Sequence, residues 1–221
     1  AHDKCLGPTS EIEYLISQDR WTFWRCGLTE ALSLEDFQAH HGFKALQKAW
    51  DIGADAVIDA VTESGLRGRG GAGFPTGSKW RTVADAKGDQ KYIACNADEG
   101  DSGTFSYRLL MEGDPFGLIE AMAIAGFAVG ASKGYIYLRS VFPLTHMILS
   151  KAIVMARDAG WLGNDIQGSG FDFDIDLHLG AGSYVCGEET AMLESLEGKK
   201  GIVRYKPPLP AIEGLFGKPT V

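Results

Sequence analysis

No two of the four cysteines, Cys5, Cys26, Cys95 and Cys186, stand in a CxxC pair. Their spacing offers neither a zinc site nor an iron–sulfur site, and a disulfide framework is out of place in a chain of 221 residues. A reduced, cytoplasmic setting is the expectation. Basic excess is also missing: the net charge of −8 argues against nucleic acid as a partner. No apolar run approaches the ~20 residues that span a bilayer, so direct membrane insertion is not expected. The opening segment, AHDKCLGPTSEIEYL, has no basic-then-apolar targeting pattern and no initiating Met, which suggests a chain processed or cut from something longer. His2, His40, His41, His146 and His178 show no ligand spacing. They read as structural, and no metal site is expected.

What the chain has in excess is glycine, 29 of 221 residues against an average near 7%. Those glycines cluster, as in loops where backbone must come close to something. With 45% hydrophobic residues there is material for a sizeable core. Ser33-Leu34-Glu35-Asp36 starts a helix with a capping-box-like pattern, and Phe43, Leu46 and Trp50 follow at helical spacing. ADAVIDAVTESG predicts a second helix ending at Gly65, and GLRGRGGAGFPTGSKW (65–80) a glycine-rich loop. The segment KYIAC (91–95) is strand-like and leads into a polar loop, NADEGDSGTF (96–105). Pro115 opens a helix that ends at Gly130, GYIYLR is β-rich, VFPLTHMILSKAIVMARDAG is helical, and FDFDIDLHL alternates in period two. A short helix, EETAMLESLEG, comes last. Strand–helix alternation of this kind predicts an α/β fold with a largely parallel sheet, preceded by a helical N-terminal segment.

Three clusters carry the chemistry. Gly68-Arg69-Gly70-Gly71-Ala72-Gly73 is a literal GxGxxG, but a helix rather than a strand precedes it, so it is not an ordinary dinucleotide-binding turn. Backbone free of side chains still lets N–H groups face phosphate oxygens or a flat ring, and Arg69, Lys79 and Arg81 add positive charge nearby. Phe74, Pro75 and Trp80 would be wasted on a flexible surface loop, the bland alternative. The second cluster, Asn96-Ala97-Asp98-Glu99-Gly100-Asp101, follows a strand, where open α/β sheets place their ligands. It reads either as a binding edge or as a solvated acidic turn. The third, Gly180 to Thr190, lies between a strand and a helix. There Glu188 and Glu189 read either as ribose recognition or as favourable charges in a helix's first turn. Cys95 and Cys186 read as small core residues.

Together GLRGRGGAGFPTGSKW, CNADEGDSGTF, GAGSYVCGEETAMLESLEGK and KPPLPAIEGLFGKPT resemble the flavoprotein family of the complex I NADH-binding subunit (51 kDa subunit-like), over about residues 45–221. That family also holds diaphorase subunits of NAD-reducing hydrogenases and β subunits of NAD-dependent molybdenum or tungsten formate dehydrogenases. NADEGDSGTFS and EGKKGIVRYKPPLPAIEGLFGKPTV look most like the formate dehydrogenase β subunit. The resemblance implies a linker or helical arm over 1–44 and a Rossmann-like FMN- and NAD-binding domain over 45–221. It also implies hydride transfer between NAD(H) and FMN that needs no catalytic residue of the protein. Gly68, Arg69, Gly70 and Lys79 would hold the flavin phosphate and ring. Asn96, Asp98, Glu99, Tyr184, Gly187 and Glu188 would line the isoalloxazine, with Glu99 making its reduction harder by charge repulsion. NAD(H) would meet Gly71, Phe74, Asp101, Glu189 and Lys206, with Phe74 on the adenine and Glu189 at the adenosine ribose. Asp101 stands where many complex I members carry Glu, and Thr82 and Leu209 where those members use Phe. The family's ubiquitin-like and iron–sulfur domains are not in this sequence. The partners expected are iron–sulfur subunits and a molybdenum or tungsten subunit, and this segment alone is expected to retain flavin weakly. An ordinary NAD-dependent dehydrogenase and a non-catalytic fragment are the rival readings.

Overall fold

The structure, a computed structural model, describes residues 6–8 and 10–221. His2 and Cys5 lie outside the described residues. The elements run α1 (Glu13–Ile16), α2 (Leu34–Ala39), α3 (Lys44–Ile52), α4 (Ala54–Glu63), α5 (Thr76–Asp85), β1 (Tyr92–Ala97), α6 (Ser106–Gly113) and α7 (Pro115–Val129). They continue with β2 (Lys133–Arg139), α8 (Pro143–Asp158), β3 (Asp174–Gly180), α9 (Glu189–Leu196) and α10 (Pro210–Glu213). No described helix is long and apolar enough to cross a membrane.

The three strands form one parallel sheet in the order β1-β2-β3, as the alternation of elements predicts. Alternate side chains feed two cores, the pattern of a sheet covered on both faces. Ile93, Ile136, Leu138 and Ile175 point into the larger core with α7 and α8. Tyr92, Ala94, Tyr135 and Tyr137 point the other way, onto Met192, Leu193 and Leu215. The C-terminal residues run beside β1, with Val221 N–H donating to the Tyr92 carbonyl and Ala94 N–H to the Val221 carbonyl.

Helix α7 is apolar on every side because it is enclosed: α3, α4, α5, α6 and α8 all pack on it. Pro115 and Gly130 mark its ends as the sequence predicts. Asp114 caps the start by accepting from Gly117 N–H, Pro115 occupies the first turn, and Gly130 closes the helix at φ 76°. Arg25 Nε lies 2.8 Å from Asp114 Oδ2 and so ties the N-terminal segment to this helix.

Three departures from the sequence reading have local causes. The single helix expected from Ser33 through Trp50 is two, α2 and α3, although Ser33 does cap as predicted, 3.1 Å from Asp36 N–H. The chain breaks at His41 and Phe43, both at positive φ. The break swings the Phe43 ring to stack 3.9 Å from Trp161 and edge-on to Phe37. Helix α3 is then restarted from outside, by Glu120 of α7, which accepts the N–H groups of Ala45 and Leu46. Phe37 and Phe43, N-terminal to residue 44, sit in the same core as the sheet.

The glycine-rich loop also stops short, since α5 begins at Thr76 and takes in Lys79 and Trp80. Gly77 permits this by close approach: a Cβ there would overlap Thr62 on α4. Finally β1 extends through Asn96 and Ala97, and the unpredicted α6 follows.

Candidate functional site

The carboxyl end of β1 delivers Asn96, Asp98 and Glu99 to one edge of the sheet, where a parallel α/β fold leaves its crevice. The Gly68–Phe74 loop, the turn Tyr184–Gly187 and the start of α9 converge on the same edge. Two cavities of about 670 and 590 Å3 open there and share Gly70, Asp98, Tyr107, Gly187 and Glu188 as walls. Volumes of this order suit a small-molecule ligand.

Arg69, Glu99, Asp101 and Tyr184 complete the predicted lining of the first cavity. Gly68, Phe74, Lys79, Asn96, Glu189 and Lys206 complete that of the second. Gly71 lines neither; it sits in the exposed loop at φ 112°, a conformation only glycine adopts readily. Sequence reasoning missed Tyr107, in the first turn of the unpredicted α6, and the apolar floor of the second cavity: Ala94, Trp80, Met192, Leu193 and Val221. The floor's signal was present in the period-two faces of KYIAC and the helix EETAMLESLEG.

The loop keeps its donors free. Gly68 N–H bonds the Phe74 carbonyl and Thr76 N–H the Leu66 carbonyl, which fixes both ends. Between them the N–H groups of Arg69, Gly70, Gly71, Ala72 and Gly73 donate to no described residue. A Cβ on Gly70 would meet nothing within 4 Å, and no positive φ requires glycine there. The protein's own packing gives no reason for this glycine.

Charge at the site is organised around α9. Glu188 is its N-cap: Oε2 accepts from the N–H groups of Thr190 and Ala191 and from the Thr190 hydroxyl. Burial opposes ionisation of Glu188, but those bonds and Lys206 hold its carboxyl below the usual range. Lys206 Nζ lies 3.0 Å from Glu188 Oε1 and 2.7 Å from Glu189 Oε1. These partners, Glu189 first, raise the lysine's pKa. Lys79 Nζ stands 4.0 Å from Glu189 Oε2, and burial lowers its pKa. Cap and ligand wall are therefore the same residue in Glu188. Arg81, by contrast, turns away from the loop and pairs with Asp55 and Asp59 of α4.

The acidic cluster divides by partner. Asp101 closes its own turn, accepting from Gly103 N–H and the Thr104 hydroxyl. Glu99 is spent on α6, accepting from the Tyr107 and Arg108 N–H groups, with Arg108 Nε 3.7 Å away. Its carboxylate lines the first cavity but is bonded to the start of α6 and stands beside Arg108. Asp98 is the opposite case: buried, lining both cavities, with neither carboxylate oxygen hydrogen-bonded to a described residue. Burial pushes its pKa up, against the opposing charge of Arg139. Asn96 accepts Asp98 N–H and donates to the Gly187 carbonyl, locking the strand end to the turn before α9.

Cys95 and Cys186 pack in the cores as expected, and burial pushes the Cys95 thiol up to about 12. No group of three His, Cys, Asp or Glu residues suited to a metal ion occurs among the described residues.

The family described as the Nuo51 FMN-binding domain matches residues 61–216. The chain is 52% identical over 196 residues to the NADP-reducing hydrogenase subunit HndC of Solidesulfovibrio fructosivorans, covering 89% of this chain and 40% of that one. It is 51% identical over 189 residues to an NADH-quinone oxidoreductase subunit of Rhizobium meliloti (strain 1021), covering 85% and 45%. The chain thus spans less than half the length of these relatives. A crystal structure of an NAD+-reducing NiFe hydrogenase in the H2-reduced state superposes with a TM-score of 0.68 at 42% identity, over 76% of this chain and 28% of that one. The chain belongs to the Nuo51 FMN-binding domain family, that of complex I 51 kDa-type subunits.

Proposed function

We propose that this chain is the part of a multi-subunit NAD-dependent oxidoreductase that exchanges a hydride between NAD(H) and FMN, with residues 45–221 as the cofactor-binding unit. The observation that carries the reading is the pairing of unsatisfied donors and acceptors across one crevice. The loop lines both cavities with Gly70 and carries N–H groups that donate to no described residue, and the Asp98 carboxylate, also without a hydrogen bond to a described residue, lines the same two cavities. A flavin mononucleotide matches that set: its phosphate and carbonyl edges accept, while its ring N–H and ribityl hydroxyls donate. The group therefore fits the residues present.

Gly68, Arg69 and Gly70 would hold the phosphate through backbone N–H groups and the guanidinium, with the half-buried Lys79 ammonium adding charge. Asn96, Asp98, Gly187 and Glu188 would orient the ring, and Tyr184 would cover it from the open side. Phe74, half exposed at the mouth of the second cavity, offers a flat face to an adenine. Gly71 and Asp101 would complete the nucleotide side. Glu189 and Lys206, already paired, would meet the adenosine ribose hydroxyls. When bound, FMN supplies the hydride acceptor or donor and converts two-electron exchange into single-electron delivery to iron–sulfur clusters. The residues of this chain orient and exclude water; no acid or base is needed among them.

The distal reaction we assign is formate oxidation by a molybdenum or tungsten partner, on the likeness of EGKKGIVRYKPPLPAIEGLFGKPTV to formate dehydrogenase β subunits. The activities for which the relatives are named favour a second assignment, to a hydrogenase or a quinone-reducing complex. Purification of the native complex decides: co-purifying molybdenum or tungsten supports the first, nickel or a membrane fraction the second. Mass spectrometry of the released cofactor tests the shared reading, and FAD or no flavin would overturn it.

A further inference from the structure

We propose that Arg139 is a positioning residue for the flavin site, holding the buried Asp98 carboxylate in place as an anion without lining the cavity itself. This inference rests on the flavin reading above. Arg139 closes β2 and Asp98 follows directly after β1, in neighbouring strands whose register pairs Ala97 with Leu138. The parallel sheet thus brings the two side chains together at its carboxyl edge. Arg139 Nη1 lies 4.0 Å from Asp98 Oδ2, with the two side chains only 18% and 1% exposed. Neither the nitrogen nor either oxygen has a hydrogen bond to a described residue.

A buried carboxylate and a largely buried guanidinium that face each other without bonding leave the lone pairs of Asp98 for something else. A carboxylate kept wholly from donors is costly, so its place is explained by a ligand that supplies them. Arg139 supplies the counter-charge that lets the carboxylate stay ionised without those donors. Nearby glycines preserve the arrangement. A Cβ on Gly100 would come within 2.7 Å of Arg139 Nη1 and 2.9 Å of the Tyr184 ring, and one on Gly187 within 3.4 Å of Asp98 Oδ2. Gly100 therefore makes the slot in which the guanidinium lies beside Tyr184.

The test is a double-variant cycle in the full-length protein: Arg139→Gln, Arg139→Lys, Asp98→Asn and the double variant Arg139→Gln/Asp98→Asn. FMN affinity is read from flavin fluorescence quenching and the midpoint potential of the bound flavin from spectroelectrochemistry. Arg139→Gln should weaken FMN by about tenfold or more, as when a buried charge loses its partner, and Arg139→Lys should recover most of that loss. The double variant should bind no worse than Arg139→Gln. Asp98→Asn alone leaves Arg139 uncompensated and should raise the midpoint potential, which the double variant returns toward the unmodified value. Losses that multiply in the double variant, no rescue by lysine, or an unmoved potential would each overturn the pairing while leaving the flavin reading intact. Failure of the unmodified protein to bind FMN would overturn that reading, and this inference with it.

Discussion

Lys206 Nζ lies 2.7 Å from Glu189 Oε1, so the carboxylate expected at the adenosine ribose is anchored by a lysine from the far side of the site. Held there, Glu189 would repel a 2′-phosphate, and removing its charge would also free Lys206 and Lys79 to attract one. Glu189→Gln should raise kcat/KM for NADPH relative to NADH by roughly 5- to 150-fold, about 1–3 kcal/mol. Steady-state kinetics with both nucleotides give the ratio. An unchanged ratio would move the discrimination elsewhere, with Asp101 the next residue to vary.

Glu188→Ala should destabilise the fold by about 1 kcal/mol through loss of the α9 cap. The pH dependence follows from the sign of its shift. Its carboxyl titrates below the ordinary 4.5 in the folded protein, so its stabilisation is full above that value. It is lost as pH falls through the lower, folded pKa. Melting temperatures of the two proteins should differ by a constant amount at neutral pH and converge in acid. A difference that grows in acid would contradict the capping role.

Gly70 and Gly77 separate ligand approach from packing. Gly70→Val meets open space and should melt with the unmodified protein, yet lose FMN by about tenfold or more. Gly77→Ala drives a Cβ into Thr62 and should cost about 1–3 kcal/mol. Circular dichroism melts and flavin fluorescence distinguish the two. A Gly70→Val protein that holds flavin normally would show that the loop is not the cradle.

The sequence announced whatever depends on local pattern. Strand-like KYIAC, β-rich GYIYLR and the period-two run FDFDIDLHL marked the three strands, Pro115 and Gly130 framed α7, and clustered glycines marked the loop. It was silent where tertiary contact overrides the pattern. Phe43 looks helical by spacing, but stacking on Trp161 breaks the helix. Helix α6 is short and is capped by Glu99 from seven residues upstream, beyond any local capping motif. Glu99, Arg81 and Asp98 are equally charged on paper; which of them is neutralised depends on Arg108, Asp55 and Arg139, all distant in sequence. Arg139 did leave a trace, as a cation at the carboxyl end of a parallel strand.

The most direct measurement is an anaerobic titration of the full-length, FMN-loaded protein with NADH, followed by visible absorption without any partner subunit. The flavin bands should bleach as NADH is added if the nicotinamide and the flavin meet in the crevice proposed above, and should remain unchanged with formate alone if formate is oxidised on a partner subunit. Flavin bands that persist under excess NADH would contradict the account.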